Sequence, residues 1–84
     1  MNITEVRVRR IEHDGKLRGV ASITLDDEFV VHDIKIIQGD RDLFIAMPSR
    51  KSSEGDFKDI AHPITAAARD YIQKSIIEAY NKTE

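Results

Sequence analysis

Cysteine is absent from the 84 residues. That excludes disulfides, thiolate metal sites and thiol nucleophiles, and it suits a reducing compartment. Long apolar runs are absent too, and the opening Met1–Arg7 has no apolar core of the kind a signal peptide carries. A soluble cytoplasmic protein with no membrane partner is therefore expected. Excess positive charge is missing: 13 Lys and Arg against 15 Asp and Glu leave a formal net charge of −2. Any binding of a polyanion must come from local patches. There is no phosphate-cradling glycine loop, no nucleophile elbow and no carboxylate pair set for acid–base work. The chain reads as a non-enzyme with no cofactor and no metal. Size adds a further limit. A chain this short buries only about 60% of its unfolded surface, and without a covalent staple a subunit partner is the expected source of extra stability.

What is present reads as one α+β domain over residues 1–84. The expected architecture is a four- to five-stranded antiparallel meander with a C-terminal helix on one face, dimerising through a sheet surface or edge. Strands are expected over about 3–11, 17–25, 29–38, 43–51 and 57–61, and the helix over about 64–80. Residues 3–11 alternate, with Val6 and Val8 on one side and Arg7 and Arg9 on the other. Asp14-Gly15 is a two-residue hairpin signal. With His13 facing Lys16, it sets Val8 opposite Ala21, Val6 opposite Ile23, Thr4 opposite Leu25, Arg9 opposite Val20 and Arg7 opposite Ser22. Arg7, Arg9 and Arg18 then share one face.

The acidic run Asp26-Asp27-Glu28 turns the chain. A two-residue turn at Asp27-Glu28 places Leu25 by Val30, Ile23 by His32 and Ala21 by Ile34. A three-residue turn would push Asp33 into the core, so the shorter turn is expected, with His32 as a buried, hydrogen-bonded core histidine. Phe44 and Ala46 are assigned to the core face of the fourth strand. Val31, Ile37, Leu43, Ile45 and Met47 are assigned to the opposite face, a second apolar patch that usually means a partner. These five residues are the expected homodimer surface.

Leu43 to Lys51 runs from apolar residues through Pro48 into Ser49, Arg50 and Lys51. The segment Pro48–Pro63 is rich in turn formers. Ser52–Gly55 fits a turn, and Phe57 and Ile60 fit a returning strand, making a second hairpin with Arg50 and Lys51 near its tip. Fixed cations beside a hydroxyl suit phosphate oxygens. Arg50, Lys51 and Ser49, with Lys58 on the returning strand, are thus candidate nucleic-acid contacts, and Arg7, Arg9 and Arg18 form a second candidate patch. The competing readings are a solvated turn for the first group and a charged sheet face paired with Glu5 or Asp33 for the second. No aromatic stands among these cations to stack a base, so phosphate-dominated binding is expected over stacking. Asp59 and His62 lack a third ligand for a metal site and read as a bond tying the loop to the helix. Thr65 is the expected helix cap. Ile64, Ala67, Ala68, Tyr71, Ile72, Ile76, Ala79 and Tyr80 form its apolar stripe, with Arg69, Asp70, Gln73, Lys74 and Glu78 on the wet side.

Four stretches carry a family resemblance: Val6-Arg7-Val8-Arg9-Arg10, residues 21–26 and 28–34, and above all Leu43 to Lys51 joined to Asp56 to Ile64. In these the chain resembles the SpoVG septation-regulator family. The resemblance implies a small bacterial cytoplasmic protein that binds DNA and RNA as a dimer. It implies roles in gene regulation tied to septation and cell division, sporulation or virulence-type expression. Family members carry two adjacent basic residues after Met-Pro-Ser, matched here by Arg50 and Lys51, and a basic residue matched by Lys58. Some relatives have Pro-Asp-Gly in the following hairpin turn where this chain has Ser53-Glu54-Gly55, a less rigid sequence. Many extend past the helix with an acidic tail, so a tail beyond Glu84 is an expectation. The alternative is a protein-interaction module that docks a larger partner without touching nucleic acid. A small hydrolase using His62 is a remote third reading.

Overall fold

The computed structural model describes residues 1–11 and 15–83. Four strands form an antiparallel meander in chain order: β1 (Ile3–Arg10), β2 (Leu17–Leu25), β3 (Phe29–Gln38) and β4 (Leu43–Ala46). A separate ribbon pairs β5 (Ser49–Lys51) with β6 (Phe57–Asp59), and the chain closes with α1 (Ala66–Lys82). The α+β class is as expected. The fourth strand differs: it does not run through to Lys51. Proline has no amide to give a ladder, and pairing stops before Met47-Pro48. The chain then re-pairs with a different partner.

Alternation on β1 and β2 yields the expected register. Val8 lies opposite Ala21, Val6 opposite Ile23, Arg9 opposite Val20 and Arg7 opposite Ser22. The Asp14-Gly15 turn itself falls partly outside the described residues. Thr4 does not face Leu25, because a register shift pairs Ile3 there instead. The Thr4 hydroxyl accepts from the Asp27 amide (3.1 Å) and donates to the Thr24 carbonyl (3.3 Å), fastening the strand end to the next turn.

The β2–β3 connection departs from expectation. It is a three-residue loop, Asp26-Asp27-Glu28, with Leu25 opposite Phe29 and Ile23 opposite Val31. Asp26 and Asp27 both have positive φ, 53° and 56°, a conformation that Asp tolerates better than most residues. Such a loop threatens to turn Asp33 inward. The chain avoids this with a bulge: His32 and Asp33 together oppose Ser22, Asp33 takes φ 62°, and Ala21 still meets Ile34. The longer loop itself leaves His32 exposed instead of buried and turns Val31 inward against the core.

The core under α1 consists of Ala21, Ile23, Ile34, Ile36, Ile45, Met47, Ile72 and Ile76 among the described residues. The β3–β4 loop places Leu43 opposite Gln38 and hence Ile45 opposite Ile36. Directly opposed residues share a face, so Ile45 joins the core. This inverts the expected facing of β4. Phe44 is 42% exposed on the far side with Ala46, while Leu43, Ile45, Met47 and Val31 belong to the chain's own interior. Of the five residues expected at a dimer surface, Ile37 alone stays on the outer face, opposite Phe44.

α1 runs beside β1 in the same direction. Thr65 caps it as expected, its hydroxyl accepting from the Ala68 amide at 3.1 Å. The Tyr71 hydroxyl accepts from the Ile3 amide (2.9 Å), and the Arg10 guanidinium stacks on the Tyr80 ring at 4.0 Å while donating to the Tyr80 carbonyl. Ile64 precedes the helix and is 88% exposed, outside the stripe assigned to it; Ala67 is exposed as well. Gln73 is half-buried and accepts from the Ile45 amide at 3.5 Å, so it does not belong to the wet side.

Candidate nucleic-acid interface

The β5–β6 ribbon is built from a turn and a short ladder. The Gly55 amide donates to the Ser52 carbonyl (3.0 Å), and the Ser52 amide donates to the Asp56 carbonyl (2.7 Å). Gly55 has φ 92°, a left-handed value that favours glycine. The ladder sets Ser49 opposite Asp59, Arg50 opposite Lys58 and Lys51 opposite Phe57. The ribbon is tied to the body by the Ile60 amide donating to the Pro48 carbonyl at 2.7 Å. Arg50, Lys51, Lys58 and Ser49 are all exposed.

Alternation along a strand separates the two adjacent cations. Arg50 and Lys51 point to opposite faces of the ribbon, and Arg50 shares its face with Lys58 across the ladder. Like charges directly opposite each other destabilise a strand pair. The one ion pair among the described residues is elsewhere, between Arg7 and Glu5 at 2.7 Å. Arg50, Lys51 and Lys58 therefore have no carboxylate within ion-pair distance among the described residues, though Asp59 lines the same shallow depression.

The second patch is split differently. Arg7 and Arg9 project from the outer sheet face opposite Ser22 and Val20. Glu5 hydrogen-bonds Arg7 and its negative charge reinforces that bond, so the Arg7 pKa is raised further above its ordinary value. The expected pairing with Glu5 thus occurs for Arg7, and Arg9 has no ion-pair partner among the described residues. Arg18 lies at a second register shift, where Leu17 and Gly19 span neighbouring β3 residues, and is half-buried. Arg7 and Arg9 line a shallow groove with Val20, Ser22, His32 and Asp33. Asp33 stands on the outer face as expected, whereas His32 was not legible as a surface group, because the three-residue loop that turns it out is accommodated only by the bulge after it. The signal was the conflict itself, centred on an Asp.

His62 Nδ1 meets the Pro63 carbonyl oxygen at 3.1 Å, a local contact at the loop end. Among the described residues no cluster of three potential ligands could hold a metal, and no helix is long and apolar enough to cross a membrane.

The SpoVG family model matches residues 1–82. The chain belongs to the SpoVG family. Similar relatives, each bearing the name of a candidate septation protein SpoVG, come from several bacteria. One from Lachnospira eligens is 66% identical over 84 residues, covering 100% of this chain and 96% of the relative. One from Agathobacter rectalis is 60% identical over 84 residues, covering 100% and 95%. One from Clostridium beijerinckii is 61% identical over 82 residues, covering 98% and 90%. Within this SpoVG-family chain the run from Leu43 to Ile64, read from sequence as one strand entering a basic hairpin, is β4 with Ile45 and then Met47 buried, followed by the β5–β6 ribbon.

Proposed function

We propose that this chain is a dimeric regulator of gene expression that binds DNA and RNA in the cytoplasm, acting in septation and sporulation. The septation role draws on the names its relatives carry; the sporulation role draws on the family resemblance. The observation that carries the binding is Arg50 set opposite Lys58 on an exposed ribbon, neither of them held in an ion pair among the described residues. Holding two cations together costs the free protein, and a phosphate between them relieves that cost. Lys51 and Ser49 offer contacts from the other ribbon face, and Arg9, with Arg7 and Arg18 nearby, extends the basic surface. A dimer doubles each patch and raises the local potential despite the acidic total.

The dimer surface is the outer face of the β3–β4 half of the sheet, where Ile37, Phe44 and Ala46 share one face and Phe44 is exposed. The second reading, a protein-docking module, is favoured by Phe57 (71% exposed), Ile60 (66%) and Ile64. It requires that partners survive nuclease treatment and that the purified protein ignores nucleic acid.

The deciding experiment is a titration of duplex DNA and RNA at several salt concentrations, comparing wild type with Arg50→Ala/Lys58→Ala. Losing two phosphate contacts lowers the slope of log K against log salt by roughly 1.8 on duplex DNA. Identical affinity and slope in the two proteins eliminates the ribbon as the contact.

A further inference from the structure

We propose that the groove at the β3 bulge reads an unpaired base, with His32 stacking on it, Asp33 accepting from its amino edge and Arg9 holding the adjacent phosphate. The inference rests on the nucleic-acid reading above and adds to it a source of sequence preference. Three observations support it. The bulge turns two consecutive side chains, His32 and Asp33, to the exposed outer face, where a regular strand would turn one. Asp33 holds a left-handed backbone, φ 62°; such strain clusters where a side chain must be aimed. Asp33 and Arg9 line one groove, yet neither has an ion-pair partner among the described residues. A carboxylate and a guanidinium lining one groove from strands two apart, with no ion pair between them, suit a ligand that offers both donors and an anion. An unpaired nucleotide offers both.

The chemistry selects the base. A carboxylate only accepts hydrogen bonds. Guanine presents two adjacent N–H donors on its Watson–Crick edge, so both carboxylate oxygens are used. Cytosine and adenine present one amino group beside an acceptor, and uracil presents one N–H flanked by two carbonyls. Guanine is therefore the preferred occupant. Histidine is among the side chains that stack on unpaired bases, and stacking is tolerant of base identity. His32 thus supplies affinity and Asp33 supplies preference.

The test measures fluorescence anisotropy of short single-stranded RNA oligomers, one of uracil alone and one with a single central guanine, against wild type and variants. Wild type binds the guanine oligomer more tightly. Asp33→Asn weakens that oligomer by roughly 5- to 100-fold and leaves the uracil oligomer unchanged or tighter. Asp33→Gly, which suits φ 62°, does the same and keeps the result readable if the Asn variant folds poorly. His32→Ala weakens both oligomers and His32→Phe restores them. The sign is decisive, because removing a carboxylate from a purely electrostatic site strengthens every polyanion alike. Equal strengthening of both oligomers by Asp33→Asn, or equal wild-type affinity for the two, overturns base reading. If duplex binding persists and still responds to Arg50→Ala/Lys58→Ala, only this proposal fails. A wild-type protein that binds no nucleic acid overturns the nucleic-acid reading with it.

Discussion

At the scale of single residues, the sheet depends on a place where there is no side chain. Gly19 is buried between Arg10 and Ile36 in the ladders of β2. A Cβ there would lie 2.9 Å from the Arg9 carbonyl oxygen and 3.6 Å from Ile36 Cδ1. The first neighbour is backbone and yields only if the β1–β2 ladder shifts. Gly19→Ala is expected to cost roughly 1–3 kcal/mol, as overpacking does. A thermal melt reads this, since each kcal/mol moves the midpoint of a small domain by about 4–8 °C. A melt indistinguishable from wild type means the ladder adjusts freely and the close approach is unimportant. The sequence marks Gly19 only as a glycine inside an apolar strand, and the neighbour that constrains it belongs to another strand. His32 repeats the point: its position in the alternation reads as core, and the one extra residue in the Asp26–Glu28 loop reverses it.

At the scale of elements, local signals were legible where one short-range rule decides the outcome. Strict alternation gave β1 and β2 their pairing, and turn formers gave the ribbon. Thr65 before an apolar stripe gave the helix start. Its hydroxyl bond to the Ala68 amide satisfies one of the free donors of the first turn. Thr65→Ala is expected to cost about 1 kcal/mol and Thr65→Asp to retain the stability, both followed by chemical denaturation. Equal stability of wild type and Thr65→Ala refutes the cap's contribution. What was not legible depended on loop length. One residue more in the Asp26–Glu28 loop changes the facing of everything after it, and the bulge at His32-Asp33 changes it back. The facing of β4 was misread because both of its sides are apolar: Ile45 and Phe44 are equally fit for a core by composition. The four-residue connection that pairs Gln38 with Leu43 decides between them. The ribbon's two cations were legible as a pair in sequence, but strand alternation separates them and pairs Arg50 with Lys58 instead.

At the scale of the whole molecule, the outer sheet face has two unlike halves. The β1–β2 side carries Arg7, Arg9 and Ser22 around the groove that His32 and Asp33 complete. The β3–β4 side carries Ile37, Phe44 and Ala46, and the Phe44 ring also packs near Gly39. With eight buried apolar side chains among the described residues, the interior is small for a chain without covalent staples. In the proposed dimer, association through the apolar half would add buried surface and leave the basic half open to polyanions. This arrangement makes a specific expectation for sedimentation equilibrium. Wild type is expected at twice the chain mass, and Phe44→Lys at the chain mass. Phe57→Lys on the ribbon is expected to remain paired, which separates loss of the interface from a general effect of added charge. Because association stabilises only the folded state, the melting midpoint of wild type should rise with protein concentration, and that of Phe44→Lys should not. A wild-type protein at the chain mass throughout the micromolar range, with a midpoint independent of concentration, removes the dimer. The basic patches would then act singly, and the salt slope for one bound chain would be limited to its own Arg50, Lys51, Lys58 and Arg9.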